Sequence, residues 1–289
     1  MRKFTGHSGG RVLQNTFCHI PSISLKTELR LWEAGLHSWD QCAGPLPGAL
    51  SKRKLSTIMA HLPESHAQLA ASNPRYFAEH LPSSEQWRLF ARFRNTTAFL
   101  DIETTGLGGP GDHITTIVLY DGRSVRHYVH GQNLNDFPAA VAAYSLLVTF
   151  NGKCFDVPFI ERSFGIKLTS AHIDLRYVLK SLGYTGGLKA VEVKLGLDRK
   201  DLRDVDGYFA VLLWQEYRRR GDPRALETLL AYNAADVLNL EPLMVTAFNM
   251  KLKGTPFHDM HCLGMPATPA IPFRADRGMI ERIRGSIWR

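Results

Sequence analysis

The chain has 289 residues, 44% hydrophobic and 21% charged, the balance of an ordinary globular protein with room for one sizeable core. No apolar run approaches the roughly 20 residues that span a bilayer. The basic start Met1-Arg2-Lys3 has no apolar stretch behind it, and Cys18, Cys42, Cys154 and Cys262 form no CxxC pair. These features weigh against a membrane protein, a secreted disulfide scaffold and a zinc module, and lead us to expect free thiols in a reducing cytoplasm. The net charge of +8 gives a modest tilt towards a polyanionic partner such as nucleic acid.

Residues 1–94 read as a separate, mainly helical region. Within it, Thr16 to Glu28 leads into Leu29–Leu36, an amphipathic turn of helix closed by Gly35. Pro21-Ser22-Ile23-Ser24 resembles the turn of a helix-hairpin-helix unit, in which Pro-Gly-Ile-Gly lets backbone N–H groups approach a phosphate. With serines in place of both glycines, a packing role is expected instead. Gly44-Pro45-Leu46-Pro47-Gly48 marks a turn or linker, and Ser51-Lys52-Arg53-Lys54 a basic cluster that reads as a solvated helix start before it reads as a contact to a backbone phosphate. Ser83-Ser84-Glu85-Gln86-Trp87 opens an N-capped helix with Trp87, Phe90 and Phe93 on its apolar side.

After Asn95 the periodicity changes. Ala98–Ile102, Ile114–Tyr120 and Val125–His130 read as consecutive strands, with Asp121-Gly122 a tight turn between the last two. A helix over Pro138–Tyr144 and an apolar strand, Leu146–Phe150, follow. Helices then cover Phe155–Phe164, Leu175–Ser181, Gly187–Leu195, Gly207–Arg219 and Arg224–Met250. A strand meander followed by alternating strand and helix predicts an α/β domain over residues 95–253, a mixed sheet flanked by helices. Residues 254–289 lose the pattern and carry Arg274, Arg277, Arg282, Arg284 and Arg289, a basic C-terminal tail expected to be peripheral or poorly ordered.

The chemistry centres on Asp101-Ile102-Glu103. Alternate side chains on a strand share a face, so both carboxylates point the same way. Like charges that close raise each other's pKa unless a cation holds both ionised. A hard divalent metal suits such oxygen ligands; two surface acids at a strand end are the plainer alternative. Asp156 follows Asn151-Gly152 at the start of a helix, where an acid also answers the helix dipole. Tyr232 and Asp236, four apart, share one helix face.

In this order, Asp101-Ile102-Glu103-Thr104-Thr105-Gly106-Leu107, Asn151-Gly152-Lys153-Cys154-Phe155-Asp156 and Tyr232-x-x-x-Asp236 give the chain from about Thr97 to Met244 its resemblance. It resembles the DEDD superfamily of 3′→5′ exonucleases, in the tyrosine-type subgroup, and within it the YprB-type predicted nucleases. The resemblance implies a ribonuclease H-like fold and two divalent ions, Mg²⁺ or Mn²⁺, held about 3.5–4 Å apart by Asp101, Glu103, Asp156 and Asp236. It implies that Asp101 bridges the ions, that Glu103 and Asp236 complete the shell of the first, and that Asp156 holds the second partly through water. Tyr232 would orient the attacking water, since a phenol with a pKa of about 10 is a poor base at neutral pH. In-line attack on phosphorus would release a nucleoside monophosphate from a DNA or RNA 3′ end.

Thr104, Thr105, Gly106, Leu107, Asn151 and Lys153 are the candidate substrate contacts. Gly106 would let the backbone reach the terminal nucleotide, Leu107 would wedge against its base, and Lys153 would reach a phosphate; core packing of Leu107 and plain exposure of Lys153 are the alternatives. Asp174 reads as a helix N-cap before it reads as an outer partner of the site, and Gly186-Gly187-Leu188-Lys189 as a weak phosphate cradle. His258, His261 and Cys262 lack a fourth metal partner at suitable spacing. The expected function is a metal-dependent 3′→5′ exonuclease acting on single-stranded DNA or RNA. A structure-specific endonuclease and a non-catalytic nucleic-acid-binding module compete with it, and nothing in these motifs reports contact with a 2′-hydroxyl.

Overall fold

Short runs of β-branched and aromatic residues fold into one five-stranded sheet: β1 (Thr97–Thr104), β2 (Ile114–Tyr120), β3 (Val125–Val129), β4 (Leu146–Thr149) and β5 (Ala171–Asp174). The computed structural model describes residues 8–43, 51–197, 207–267 and 269–287, so the basic Met1–His7 and the linker Gly44–Gly48 lie outside the described residues. The strand order is β3-β2-β1-β4-β5; β1–β2 and β2–β3 pair antiparallel, β1–β4 and β4–β5 parallel. This is the mixed sheet expected from the meander and the later alternation.

The sequence pattern does not predict β5. Ala171-His172-Ile173-Asp174 is four residues long and runs directly into α7, so it reads as the approach to a helix. Pairing with β4, from Leu146↔Ala171 to Thr149↔Asp174, is what makes it a strand.

Among the described residues four α-helices precede the sheet: α1 (Leu25–Glu33), α2 (Lys52–Ala70), α3 (Pro74–His80) and α4 (Phe90–Phe93). Between and after the strands come α5 (Phe137–Val141), α6 (Asp156–Phe164), α7 (Leu175–Ser181), α8 (Leu188–Lys194), α9 (Gly207–Arg220) and α10 (Pro223–Leu252). α11 (His258–His261) and α12 (Arg277–Ile287) follow. α10 starts cleanly because Asp222 accepts from the Arg224 amide at 3.0 Å and Pro223 occupies the first helical position.

Pleating sorts β1 between two cores. Ala98, Leu100 and Ile102 join Phe137, Val141, Phe159 and Ile160 from α5 and α6. Phe99 joins Val118, Val148 and Ile173 with Val237, Leu240 and Phe248 of α10. Asp101 and Glu103 alternate with Ile102 and so fall on the α10 side.

The N-terminal region shares that second core, through Phe17, Trp32, Trp39 and Trp87. Trp87 meets Phe248 of α10 edge-on at 5.2 Å. Arg88, only 4% exposed, pairs with Glu28 at 2.8 Å and Glu85 at 2.9 Å, and Lys251 from the end of α10 reaches Glu85 at 2.7 Å. Glu28 also accepts the amides of Phe17 and Cys18, which pins the hairpin-like segment. There Ser22 adopts φ 67°, the left-handed conformation a glycine would suit, Ser24 caps α1, and Ile20 and Ile23 are buried. This is the packing role expected of the turn.

The C-terminal segment differs from the loose tail expected of it. Met279, Ile280 and Ile283 of α12 lie in a core with Trp214, Leu229 and Tyr232, and Arg282 reaches Glu216 at 3.0 Å. Apolar residues at helical spacing sit among the arginines, and the charge hides them from a reading by composition.

Candidate metal centre

β4 pairs with β1 only over Thr97–Phe99, so β1 runs on past its parallel neighbour. A bulge between Glu103 and Thr104 then shifts its register against β2. On the face crossed by α10, one oxygen each of Asp101, Glu103 and Asp236 lies within 4.8 Å of the others. Glu103 and Asp236 are 8% and 7% exposed, and Asp101 is half-buried. Three hard oxygen donors converging at low exposure repel one another, and a divalent cation is what such a set fits.

Asn233 is a residue that sequence reasoning missed. Fully buried, it donates from Nδ2 to Asp101 Oδ2 at 2.7 Å and accepts from Thr116 Oγ1 at 3.2 Å. The one signal available was an asparagine inside an otherwise apolar helix segment, which must find partners if buried. Tyr232, also buried, stands one turn before Asp236 on α10. Lys189, carried by α8, holds its ammonium 4.8 Å from the centre of the Tyr232 ring. The Gly186–Lys189 stretch thus delivers a side chain to the phenol, with Gly187 at the N-cap of α8.

Asp156 stands outside the close group of three. Its Oδ1 accepts from the Ile102 amide at 3.2 Å, on the edge of β1 that β4 leaves uncovered. Burial pushes its carboxyl up to about 7; the charges of Asp174 and Asp236 add to the rise, and the amides of Asp156 itself and Ile102 oppose it.

The loop residues serve the loops. Thr104 donates to the Gly106 carbonyl at 2.6 Å, and Thr105 Oγ1 accepts from the His113 amide at 3.0 Å. Asp112 Oδ2 accepts from the amides of Gly108 and Gly109 at 2.9 and 2.7 Å. A Cβ on Gly106 would stand 2.6 Å from that same oxygen, so the glycine makes room for Asp112. Leu107 is 93% exposed, which removes the core alternative.

The second loop is organised around Asp174. It accepts from the amides of Asn151 at 2.8 Å and Lys153 at 3.0 Å, and caps α7 through the Arg176 amide at 3.0 Å. Asn151 takes φ 68° and accepts from the Arg176 guanidinium. Lys153 directs its ammonium to Ser83 Oγ at 3.0 Å and Gln86 Oε1 at 2.7 Å, towards the N-terminal region. Thr149 Oγ1 accepts from the Gly152 amide at 3.1 Å and lies 2.8 Å from His172 Nε2, whose ring burial pushes down to about 3 and so keeps neutral.

His261 contacts Asn15 at 3.1 Å and His258 contacts Asp259 at 3.0 Å, while Cys262 is exposed; none joins a metal-ligating group among the described residues. Nor is any helix of the described residues long and apolar enough to cross a membrane.

Comparison with known proteins places the chain. The "Uncharacterized protein YprB" of Bacillus subtilis (strain 168) is 29% identical over 179 residues, 53% of this chain and 42% of that protein, so the chain spans less than half the length of this relative. A solved structure described as "apo form of the nuclease" aligns over 60% of this chain and 81% of its own, with 24% identity and a TM-score of 0.38. A family model described as the RNase_H superfamily matches residues 98–248, just over half of the chain and a span that holds every candidate acid from Asp101 to Asp236. On that match the chain belongs to the RNase H superfamily.

Proposed function

We propose that the protein is a metal-dependent nuclease that shortens single-stranded DNA or RNA from its 3′ end. The observation that carries this reading is the approach of Asp101, Glu103 and Asp236 to within 4.8 Å, with Tyr232 one helical turn from Asp236. Asp101, Glu103 and Asp236 would hold a divalent ion, and Asp156 is the fourth acid available to a second. When bound, Mg²⁺ or Mn²⁺ polarises a phosphoryl oxygen and lowers the pKa of water.

The side chains of the protein carry the remaining tasks. Asn233 fixes one oxygen of Asp101 and so the direction of its other oxygen. Tyr232 orients the attacking water through its hydroxyl, a task that needs no loss of the phenolic proton. Lys189, over the Tyr232 ring, brings a positive charge to a region of acids that a phosphate must approach. Leu107, exposed on the loop after Glu103, is the candidate for packing against the terminal base.

A time course on 5′-labelled single-stranded DNA and RNA with Mg²⁺ or Mn²⁺ tests the reading. A ladder that shortens from the 3′ end and disappears in Asp101→Ala is the expected result. Cuts in a circular strand would make the protein an endonuclease, and binding without any cleavage would leave a binding module.

A further inference from the structure

A second cluster adjoins the metal centre and has no task in the chemistry above. His113, just before β2, exchanges two hydrogen bonds with Thr105, which stands two residues past Glu103: the Thr105 amide donates to the His113 carbonyl at 3.0 Å, and the His113 amide to Thr105 Oγ1 at 3.0 Å. The His113 ring lies 4.4 Å, centre to centre, from that of His130, just past β3. Both rings meet Trp214 of α9 near edge-on, at 6.4 and 6.1 Å. Trp214 in turn shares its core with Tyr232. The cluster is therefore linked to the centre by two routes, the loop after Glu103 and the core it shares with α10.

The charges around it are arranged unevenly. Arg219 and Arg220 pair with Glu216 at 2.9 and 3.2 Å, Arg282 joins the same carboxylate at 3.0 Å, and Arg224 pairs with Asp222 at 2.8 Å. Arg218 has no carboxylate partner among the described residues, and its guanidinium carbon lies 5.9 Å from the centre of the Trp214 ring. Both histidines are half-exposed and Arg218 is exposed. His130 Nδ1 is buried without a hydrogen-bond partner, a cost that a role for the ring itself would explain. Burial, then the charges of His113 and Arg218, hold the His130 pKa below its ordinary value, so it offers a neutral ring at neutral pH.

We propose that His113, His130 and Arg218 form a binding subsite for the single strand as it leaves the metal centre, the imidazoles stacking a base and Arg218 holding the adjoining phosphate. A single strand exposes flat base faces and one charge per nucleotide, and aromatic rings beside an exposed cation match both. Arg218 is exposed and brings its charge close enough to the imidazoles to act on His130. The inference deepens the nuclease reading and rests on it for the class of substrate.

Anisotropy with 5′-fluorescein-labelled trinucleotides and decanucleotides of thymidine and of uridine, in EDTA so that no strand is cut, measures the subsite directly. The decanucleotide is expected to bind at least about tenfold more tightly than the trinucleotide, the gain of roughly one stacked base. In Arg218→Gln, and in the double variant His113→Ala with His130→Ala, that gain should fall below about threefold. Arg218→Gln should also lower the slope of log affinity against log salt by about 0.7, the share of one phosphate on a single strand. Because Arg218 is exposed, its variant decides the matter even where the histidine pair disturbs packing. An unchanged length gain and salt slope in Arg218→Gln would overturn the subsite; the expected losses on either sugar support it. The nuclease reading fails separately: a wild-type protein that shows the length gain yet never shortens a strand with Mg²⁺ or Mn²⁺ keeps the subsite and loses the hydrolysis.

Discussion

Two kinds of structure make up the candidate metal centre: the acids Asp101, Glu103 and Asp236, and two loops, residues 104–113 and 150–153. The acids meet because a strand repeats every second residue and a helix returns after about four, so two regular elements crossing at one point bring their carboxylates together. The loops fold around aspartates of their own, Asp112 for the first and Asp174 for the second, and they spend their glycines and amides on those carboxylates. A loop that must hold its shape beside repelling charges is organised first for itself, and only the groups it leaves outward, such as Leu107, are open to a ligand.

Asn233→Ala should break this contrast most severely. It removes the Nδ2 donor from Asp101 Oδ2 and the acceptor of the Thr116 hydroxyl, and on the scale of metal-site supporting residues it should cost about 10–100-fold in Mn²⁺ affinity or turnover. Titration calorimetry with Mn²⁺ beside steady-state rates reads both; unchanged affinity would mean that Asp101 is held by other means.

Asp156→Asn should act next, on stability without metal. The carboxyl keeps its proton up to about 7 in the fold, well above the ordinary carboxylate range, so the folded state binds the proton more tightly than the unfolded chain. Its burial therefore becomes costlier as pH rises through that window, and the cost is complete above it, on the order of a few kcal/mol. Asparagine keeps an oxygen for the Ile102 amide and has nothing to ionise. Urea denaturation in EDTA should show the variant losing less stability than the wild type between acid and mildly alkaline solution; equal losses would place the titration elsewhere.

Gly106→Ala should cost about 1–3 kcal/mol through crowding against Asp112. In an Asp112→Ala background most of that penalty should vanish, and a double-mutant cycle of denaturation midpoints measures the difference. A penalty that survives intact would point to another neighbour.

Lys153→Met should have the smallest effect, about 1 kcal/mol for the lost bonds to Ser83 and Gln86. Oligonucleotide affinity should stay as it is. A clear weakening would return Lys153 to the phosphate role that its position in the sequence suggested.

What the sequence makes legible follows the same division. The strands β1 to β4 and the long helix α10 come from periodicity, which a single sequence displays; periodicity also pairs Asp101 with Glu103, while it is the family resemblance that joins Asp236 to them. β5 escaped because four residues show too little of a period, and because Asp174 announces the helix that follows. Asn233 escaped because a polar residue in a helix reveals its partners only when the strand behind it is known. At Gly106 and Lys153 the sequence shows only a capacity for close approach and a charge; the neighbours Asp112, Ser83 and Gln86 are supplied by folding.

The seam between the segment before Asn95 and the sheet has a practical meaning. Phe17, Trp32 and Trp87 lie in one core with Phe248, and Arg88, Glu85 and Lys251 knot the same seam with charge. Cutting the protein there would bare an oily flank of α10 and orphan Lys251, so the smaller piece is no detachable accessory. The amino-terminal segment thus packs on the same helix that carries Asp236.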